Sequence, residues 1–199
     1  MSTLVALIFP AVLLFWAIGA YNRLVRLRNT IAQAWTVVDV PLRQVHDVVP
    51  ELVEQSRESL DRGKDFLQSV VAARNQAVAA AAALRSRPVS AAAAGGFDIA
   101  EQVLRSSLDQ LHGLLDQVAE AAVDQVPDPQ LQQLSRVLAG AEQQLGFARQ
   151  GYNHAVREYN QAVDQFPALL LARLFAFLPA APLQSVGSAW ERGAPRGLG

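Results

Sequence analysis

A long pattern of apolar residues in the C-terminal half constrains this chain more than any other feature. Apolar residues recur there at alternating steps of three and four over about five heptads, the spacing that lines one face of an α-helix. The positions are Leu131, Leu134, Leu138, Ala141, Leu145, Ala148, Tyr152, Ala155, Tyr159, Ala162 and Phe166. Pro167 follows directly and predicts the end of this helix, because proline removes a backbone hydrogen bond.

The same spacing occurs in two further runs, and no alternating strand pattern is present. The first run extends from Leu24 to Leu84. Pro41 and Pro50 lie inside it, and each predicts a kink or a boundary. Gly63 lowers helix stability but need not end a helix. The first run therefore predicts one long helix interrupted only by its prolines.

The boundaries of the other helices are predicted from capping residues. The segment Arg85–Phe97 contains a proline and a Gly-Gly pair, which predict a break. Asp98 and Glu101 have the spacing of a capping box, so the second helix is expected to begin there. Asp128 is predicted as the N-cap of the third helix, with Pro129 at its first position.

A short apolar stretch, Ala168–Leu178, predicts a fourth and shorter helix. Its eleven residues are too few to span a bilayer, so it either lies in the membrane interface or packs on the other helices. We favour packing, because four apolar residues continue one helical face: Phe166, Leu170, Leu174 and Phe177. The predicted fold is thus all-α, an antiparallel up-and-down bundle of three long helices plus one short helix.

The N-terminus carries seventeen residues without a charge, Leu4–Ala20. They predict a transmembrane helix of roughly 25 Å, close to the thickness of the hydrocarbon core. A cleaved signal peptide needs a basic segment first, which Met1-Ser2-Thr3 does not provide. A buried core helix is the remaining alternative. The chain then divides into an anchor over 1–20, a bundle over 21–180 and a disordered tail over 181–199.

The flanking charges predict how the anchor is oriented. Arg23, Arg26 and Arg28 follow the apolar stretch directly, and no Lys or Arg precedes it. The positive-inside rule places such a flank in the cytoplasm. We therefore expect a single-pass protein of the cell membrane with its N-terminus outside and its bundle in the cytoplasm.

No residue pattern indicates catalysis or cofactor binding. The chain has no cysteine, and His46, His112 and His154 show no metal-ligand spacing. No nucleophile elbow, phosphate loop or dinucleotide fingerprint occurs. The formal net charge of −1 excludes bulk cationic affinity for nucleic acid. We therefore expect no enzyme activity, cofactor, metal, nucleic acid or small-molecule substrate.

Two groups of residues resemble conserved blocks of the LemA family. The first group comprises Tyr21–Asn29, Ala34–Trp35, Asp39–Val40 and Asp47–Val53. The second comprises Ala141–Leu145, Phe147–Asn153, Val156–Asn160 and Phe166–Pro167. The resemblance covers roughly residues 4–180. It implies a bacterial protein with an N-terminal membrane helix and a cytoplasmic helical bundle, without known catalytic residues. Relatives are associated with membrane quality control and with a membrane metallopeptidase.

Asparagines repeat at seven-residue spacing within both groups. Asn22 and Asn29 form one pair and Asn153 and Asn160 the other, and Tyr precedes Asn in three of the four cases. They are either solvent-facing beside packed tyrosines or a polar ladder between the first and third helices. The candidate interaction residues are Asn22, Arg28, Asn29, Trp35, Asp39, Glu142, Arg149, Tyr152, Asn153, Tyr159 and Asn160.

The predicted function is that of an interaction or assembly module. Its expected partners are the lipid bilayer, through Leu4–Ala20, and other membrane proteins or further copies of the chain. The alternative is an accessory subunit of a membrane proteolytic or envelope stress-response complex.

Overall fold

A computed structural model of the chain describes residues 2–60, 64–121 and 128–184; within residues 2–10 and at positions 58, 59, 64, 119 and 121 it describes the backbone alone. These ranges contain α-helices and no strand, which confirms the all-α prediction. The helices are α1 (Ser2–Ser59), α2 (Lys64–Ser86), α3 (Ala91–Ala121), α4 (Pro129–Asp164) and α5 (Ala168–Leu174). The described part therefore has four long helices and one short helix rather than three and one, because α1 and α2 divide the first predicted helix.

The core consists of two clusters stacked along the bundle. One cluster joins all four long helices and includes residues 45–53 of α1, Leu60 just after α1, and residues 134–141 of α4. The other joins α1 residues 24–42 and α4 residues 145–163 to the end of α2, the start of α3 and the C-terminal segment. Since α1 and α4 pass through the two clusters in opposite order, they are antiparallel. Helices α2 and α3 also pass through the two clusters in opposite order, so they are antiparallel as well.

Helix α1 continues through both prolines, so neither marks a boundary. An interior proline costs roughly 3 kcal/mol, because it removes a backbone hydrogen bond and crowds the preceding turn. Val38, Leu42 and Val49 are fully buried on either side of Pro41 and Pro50. Burial of such side chains contributes about 1.5–3 kcal/mol each, enough to keep the helix intact.

Helix α3 begins seven residues before the predicted capping box. Ser90 is its cap, since the Ser90 hydroxyl accepts a hydrogen bond from the Ala93 amide at 3.2 Å. The Gly-Gly pair at 95–96 lies inside the helix, where buried Ala94 and Phe97 hold it in place. The capping-box prediction is therefore wrong, and Asp98 and Glu101 are free for another role.

The start of α4 agrees with the sequence. Asp128 accepts a hydrogen bond from the Gln130 amide at 2.8 Å, and Pro129 is the first helical residue. Ten of the eleven predicted seam positions lie in α4, and most of them are buried. Phe166 is the clear exception, because it follows the helix and is exposed.

The C-terminal segment, residues 175–184, returns along α4 after α5 ends. Phe177, Ala180 and Leu183 of this segment are buried in the core. The predicted disordered tail is therefore wrong for residues 181–184, and its remainder, 185–199, lies outside the described residues. Apolar contacts every three residues keep this part of the chain on the bundle.

The face of α5 that we expected to pack is exposed. Leu170 and Leu174 point away from the bundle, whereas Ala172 is buried. The packing prediction is therefore wrong for Phe166, Leu170 and Leu174. It is confirmed for Phe177, which lies beyond the end of α5 and is buried.

The structure does not confirm the predicted transmembrane span. Among the described residues, no helix has the length and apolarity needed to cross a membrane. The side chains of residues 4–10, the first part of the predicted span, lie outside the description.

Candidate functional site

The two Tyr-Asn pairs of α4 bind the backbone of other parts of the chain. Tyr152 and Tyr159 are fully buried. The Tyr152 hydroxyl donates to the Pro88 carbonyl at 2.8 Å, and the Tyr159 hydroxyl donates to the Leu178 carbonyl at 3.0 Å. Burial raises the pKa of Tyr152 to about 12, so its hydroxyl remains a donor at neutral pH. Both tyrosines therefore connect α4 to its neighbours from within the core.

The asparagines each bind both backbone groups of one residue. The side-chain amide of Asn160 donates to the backbone carbonyl of Ala180 at 2.8 Å, and its oxygen accepts from the backbone N–H of Ala180 at 2.9 Å. Asn153 binds Leu183 in the same way, at 2.8 and 2.7 Å. Each side chain thus pairs with the C-terminal segment as a neighbouring β-strand would. We call these four α4 residues the Tyr-Asn clamp: Tyr152, Asn153, Tyr159 and Asn160.

The seven-residue spacing of the clamp matches the segment that it holds. Seven helical residues advance about 10.5 Å at 1.5 Å each. The two bound residues, Ala180 and Leu183, are three apart, and three extended residues also advance about 10 Å. The same side-chain arrangement can therefore bind the segment twice.

The predicted polar ladder between the first and third predicted helices, which are α1 and α4 in the structure, is wrong. Asn22, Arg28 and Asn29 are exposed on α1, whereas Asn153 and Asn160 face the C-terminal segment. The alternative is correct only in part: Asn22 and Asn29 face solvent, whereas the packed tyrosines are those beside the α4 pair. The two asparagine repeats thus have different surroundings.

Trp35 lies at the centre of the core beside the clamp. Its ring packs edge-to-face against Phe97 at 5.2 Å and against Tyr152 at 6.1 Å between centroids. Its indole nitrogen is buried and has no hydrogen-bond partner among the described residues. Trp35 therefore contributes packing rather than a polar contact.

Asp39 is buried and joins α1 to α2. Its carboxylate accepts from the Arg85 guanidinium, with one contact at 3.2 Å, and forms an ion pair with Arg43 at 2.6 Å. These contacts place Asp39 in the packing between helices.

A buried ion pair holds the end of the C-terminal segment. Arg149 and Glu101 form a salt bridge, and the side chain of each is 6% exposed. Arg149 also donates to the Gln184 carbonyl at 3.3 Å. Asp98 accepts from the Gln184 amide at 3.2 Å. Both predicted capping-box residues therefore act at this place, which we call the Arg149 cluster: Asp98, Glu101, Arg149 and Gln184.

Burial affects the charged groups of this region. It lowers the pKa of Arg149, opposed by the negative charge of Glu101, and it raises the pKa of Asp98. Burial also raises the pKa of the half-buried Glu142, and one of its carboxylate oxygens has no hydrogen-bond partner among the described residues. The cavity between Glu101 and Glu142 measures about 10 Å³, room for about one water. An organic substrate cannot enter it.

No metal centre is formed within residues 2–60, 64–121 and 128–184, since no three His, Cys, Asp or Glu side chains converge there. His46 is buried on α1, while His154 is exposed on α4. Arg74 lies beside His46, since its guanidinium donates to the His46 backbone carbonyl at 2.9 Å.

His46 predicts a pH dependence of stability. Burial and then the charge of Arg74 lower its pKa from 6.5 to about 4, against the opposing charges of Asp47 and Asp39. Between pH 6.5 and 4, His46 is therefore mostly protonated in the unfolded chain and mostly neutral in the folded chain. The contribution of neutral His46 to stability is fully present above pH 6.5. We expect the free energy of unfolding to fall by about 2–3 kcal/mol as the pH decreases from 6.5 to 4.

The measurement is denaturant unfolding of the wild type and of His46→Leu at several pH values. As the pH falls from 6.5 to 4, the free energy of unfolding of the variant should rise by about 2–3 kcal/mol relative to that of the wild type. Exposed His154→Gln is the matched control and should follow the wild type. Parallel stability curves for His46→Leu and the wild type would refute the prediction.

An apolar groove runs along the outer side of α1 and α4. It has a volume of about 1150 Å³. Val37, Val40 and Phe147 stand at its rims and are 62, 70 and 67% exposed. Glu158 is the only acidic residue among those described around it, and no Lys or Arg contributes. We call it the α1–α4 groove. The apolar pattern of the sequence does not reveal this groove, because Val37, Val40 and Phe147 lie outside the predicted seam.

The described chain is thus a helical bundle whose longest helices leave one apolar side uncovered and whose C-terminal segment is held by α4. The LemA family model matches residues 34–196, and the chain belongs to the LemA family. The match covers most of the chain and includes the Tyr-Asn clamp and the Arg149 cluster. No curated protein matches the chain.

Proposed function

We propose that this LemA-family protein is a membrane-anchored assembly module, without catalysis, whose α1–α4 groove binds a second copy of the chain. The observation that carries the proposal is the exposure of Val37, Val40 and Phe147 along one groove. Contiguous apolar surface of this kind on a folded domain is typical of an interaction site.

The composition of the groove favours a second copy. Apart from Glu158 and His154 at one end, its walls are apolar or carry neutral amide and hydroxyl groups. Glu158 is thus the one fixed charge among the described lining residues, which is too little to select a strongly acidic or basic partner. The surface has both a recess and projecting side chains, so it is suited to an isologous contact in which the same patch meets itself.

The N-terminal sequence supports the membrane part of the proposal. Leu4–Ala20 carries no charge, and Arg23, Arg26 and Arg28 follow it. Insertion with the N-terminus outside places the bundle in the cytoplasm. Copies anchored in one orientation can pair about a two-fold axis along the membrane normal. Confinement to the membrane also raises their effective concentration. A reporter fused after Gly199 that is active only outside the cytoplasm would reverse this orientation.

The test is the oligomeric state of the full chain in detergent micelles, measured by light scattering over a dilution series. We expect the wild type to form dimers and Phe147→Asn to dissociate at least ten-fold more readily, because the asparagine places a polar group in the apolar contact. Ile99→Asn is the matched control, since Ile99 is also 67% exposed but lies on α3. It should form dimers like the wild type.

A wild type that stays monomeric, or a dimer that Phe147→Asn leaves unchanged, would refute the role of the groove. Cross-linking from Val40→Cys in native membranes identifies the occupant directly, because the chain has no cysteine of its own. Capture of a membrane protease subunit in place of a second copy would overturn self-association and favour the accessory-subunit alternative.

A further inference from the structure

Five large apolar side chains around α5 face solvent. Within thirteen residues the exposed fractions are 76% for Phe166, 60% for Leu170, 75% for Leu174, 53% for Phe175 and 72% for Leu178. A surface of this kind is unfavourable in water and indicates contact with another apolar phase. We call these five residues the apolar foot.

The apolar foot lies level with the end of the charge-free stretch of α1. The Tyr21 ring packs edge-to-face on Phe175 at 5.1 Å between centroids. On the other side, Trp16 and Ala20 line the same crevice as Phe166. Tyr and Trp are favoured at the boundary between hydrocarbon and headgroups, so their position marks the expected depth of that boundary.

The surroundings of the apolar foot identify its partner as a lipid surface. The α1 side chains at positions 11–15 are apolar and exposed, which makes the foot continuous with the proposed anchor. The only charged residue from 165 to 184 is Arg173, and Arg23 lies beside the foot. Both charges suit anionic headgroups. The seven residues of α5 extend only about 10 Å, so this helix is too short to cross a bilayer.

We propose that the apolar foot inserts into the headgroup region of the membrane beside the anchor. The inference rests on the anchor of the proposed function. With two points of attachment, α1 and α5, the bundle cannot swing about the anchor alone. The foot therefore sets the orientation of the α1–α4 groove relative to the bilayer.

The experiment uses the full chain in vesicles of phosphatidylcholine and phosphatidylglycerol. Because the chain has no cysteine, one introduced cysteine carries an environment-sensitive fluorophore. Leu174→Cys probes the foot, Leu13→Cys the anchor, and Ile99→Cys the bundle surface. All three sites are exposed in the isolated chain, so labelling leaves the core intact. Nitroxide lipids with shallow or deep spin labels quench the fluorophore according to its depth.

We expect shallow labels to quench Leu174→Cys at least two-fold more than deep ones, with the reverse for Leu13→Cys and little quenching of Ile99→Cys. Arg173→Gln should lower the quenching at position 174 in anionic vesicles. Leu170→Cys repeats the measurement at a second site of the foot.

The outcomes separate the foot from the anchor. Quenching at position 13 with positions 170 and 174 behaving like position 99 would overturn the foot and leave the anchor standing. Quenching at 174 but not at 13 would overturn the anchor and retain the foot. Absence of quenching at both positions would overturn both proposals.

Discussion

Replacing Arg149 by methionine is expected to lower the free energy of unfolding by about 3–5 kcal/mol. The substitution leaves the Glu101 carboxylate buried without its counter-charge, which costs several kcal/mol. It also removes the hydrogen bond to the Gln184 carbonyl, so the C-terminal segment loses one of its attachments. The measurement is denaturant unfolding of the full chain in detergent, followed by circular dichroism.

Two further variants test the physical reason. Arg136→Met removes an exposed arginine from the same helix and should change stability by less than about 0.5 kcal/mol. The double variant Glu101→Leu/Arg149→Met removes both buried charges and should recover most of the loss, because no charge is left unpaired. A double variant as unstable as Arg149→Met alone would show that burial of the lone carboxylate is not the cause.

Tyr152→Ala is expected to destabilise the protein by about 3–5 kcal/mol, because it removes a fully buried aromatic side chain and leaves a cavity beside Trp35. Tyr152→Phe keeps the ring and loses only the hydrogen bond to the Pro88 carbonyl, so it should cost about 1 kcal/mol. Thermal and denaturant unfolding of the two variants separates packing from hydrogen bonding. Tyr159→Ala should behave like Tyr152→Ala, since Tyr159 is equally buried.

The control for the tyrosines is Ile99→Ala, a truncation at an exposed apolar position, with an expected change below about 0.5 kcal/mol. If Tyr152→Ala kept wild-type stability and lost only self-association, Tyr152 would be an interaction residue and its place in the core would be refuted. The candidate residues of the sequence thus separate by experiment into those that hold the fold and those that face a partner.

Helix positions were predicted best where local chemistry dominates. Asp128 and the proline after it specify the start of α4 through contacts with adjacent residues alone. The sequence is therefore enough to predict this boundary. Pro41 and the Gly-Gly pair at 95–96 do not end a helix, because burial of the adjacent residues of the same helix in the core outweighs their local cost. The same reason explains why α3 begins at Ala91 rather than at Asp98.

The functional region shows the same division. The seven-residue repeat of the Tyr-Asn clamp is visible in the sequence, but its partner is not, since Ala180 and Leu183 have no side chains that signal such a contact. Asp98 and Glu101 were assigned to a helix cap because the capping pattern is local. Their contacts with Arg149 and Gln184 join positions about 50 to 90 residues apart in the chain.

The all-α class, the core-facing side of α4 and the family can be read from the order of residues, because apolar periodicity and the two residue blocks are properties of the chain alone. Contacts between distant parts of the chain set three further features: where α1 ends, the packing of the segment through Leu183 on α4, and which apolar residues remain outside the core. The physical reason is that burial is a collective property: Leu170 and Leu183 are both leucines near the C-terminus, and only the packing of distant helices exposes the first and covers the second.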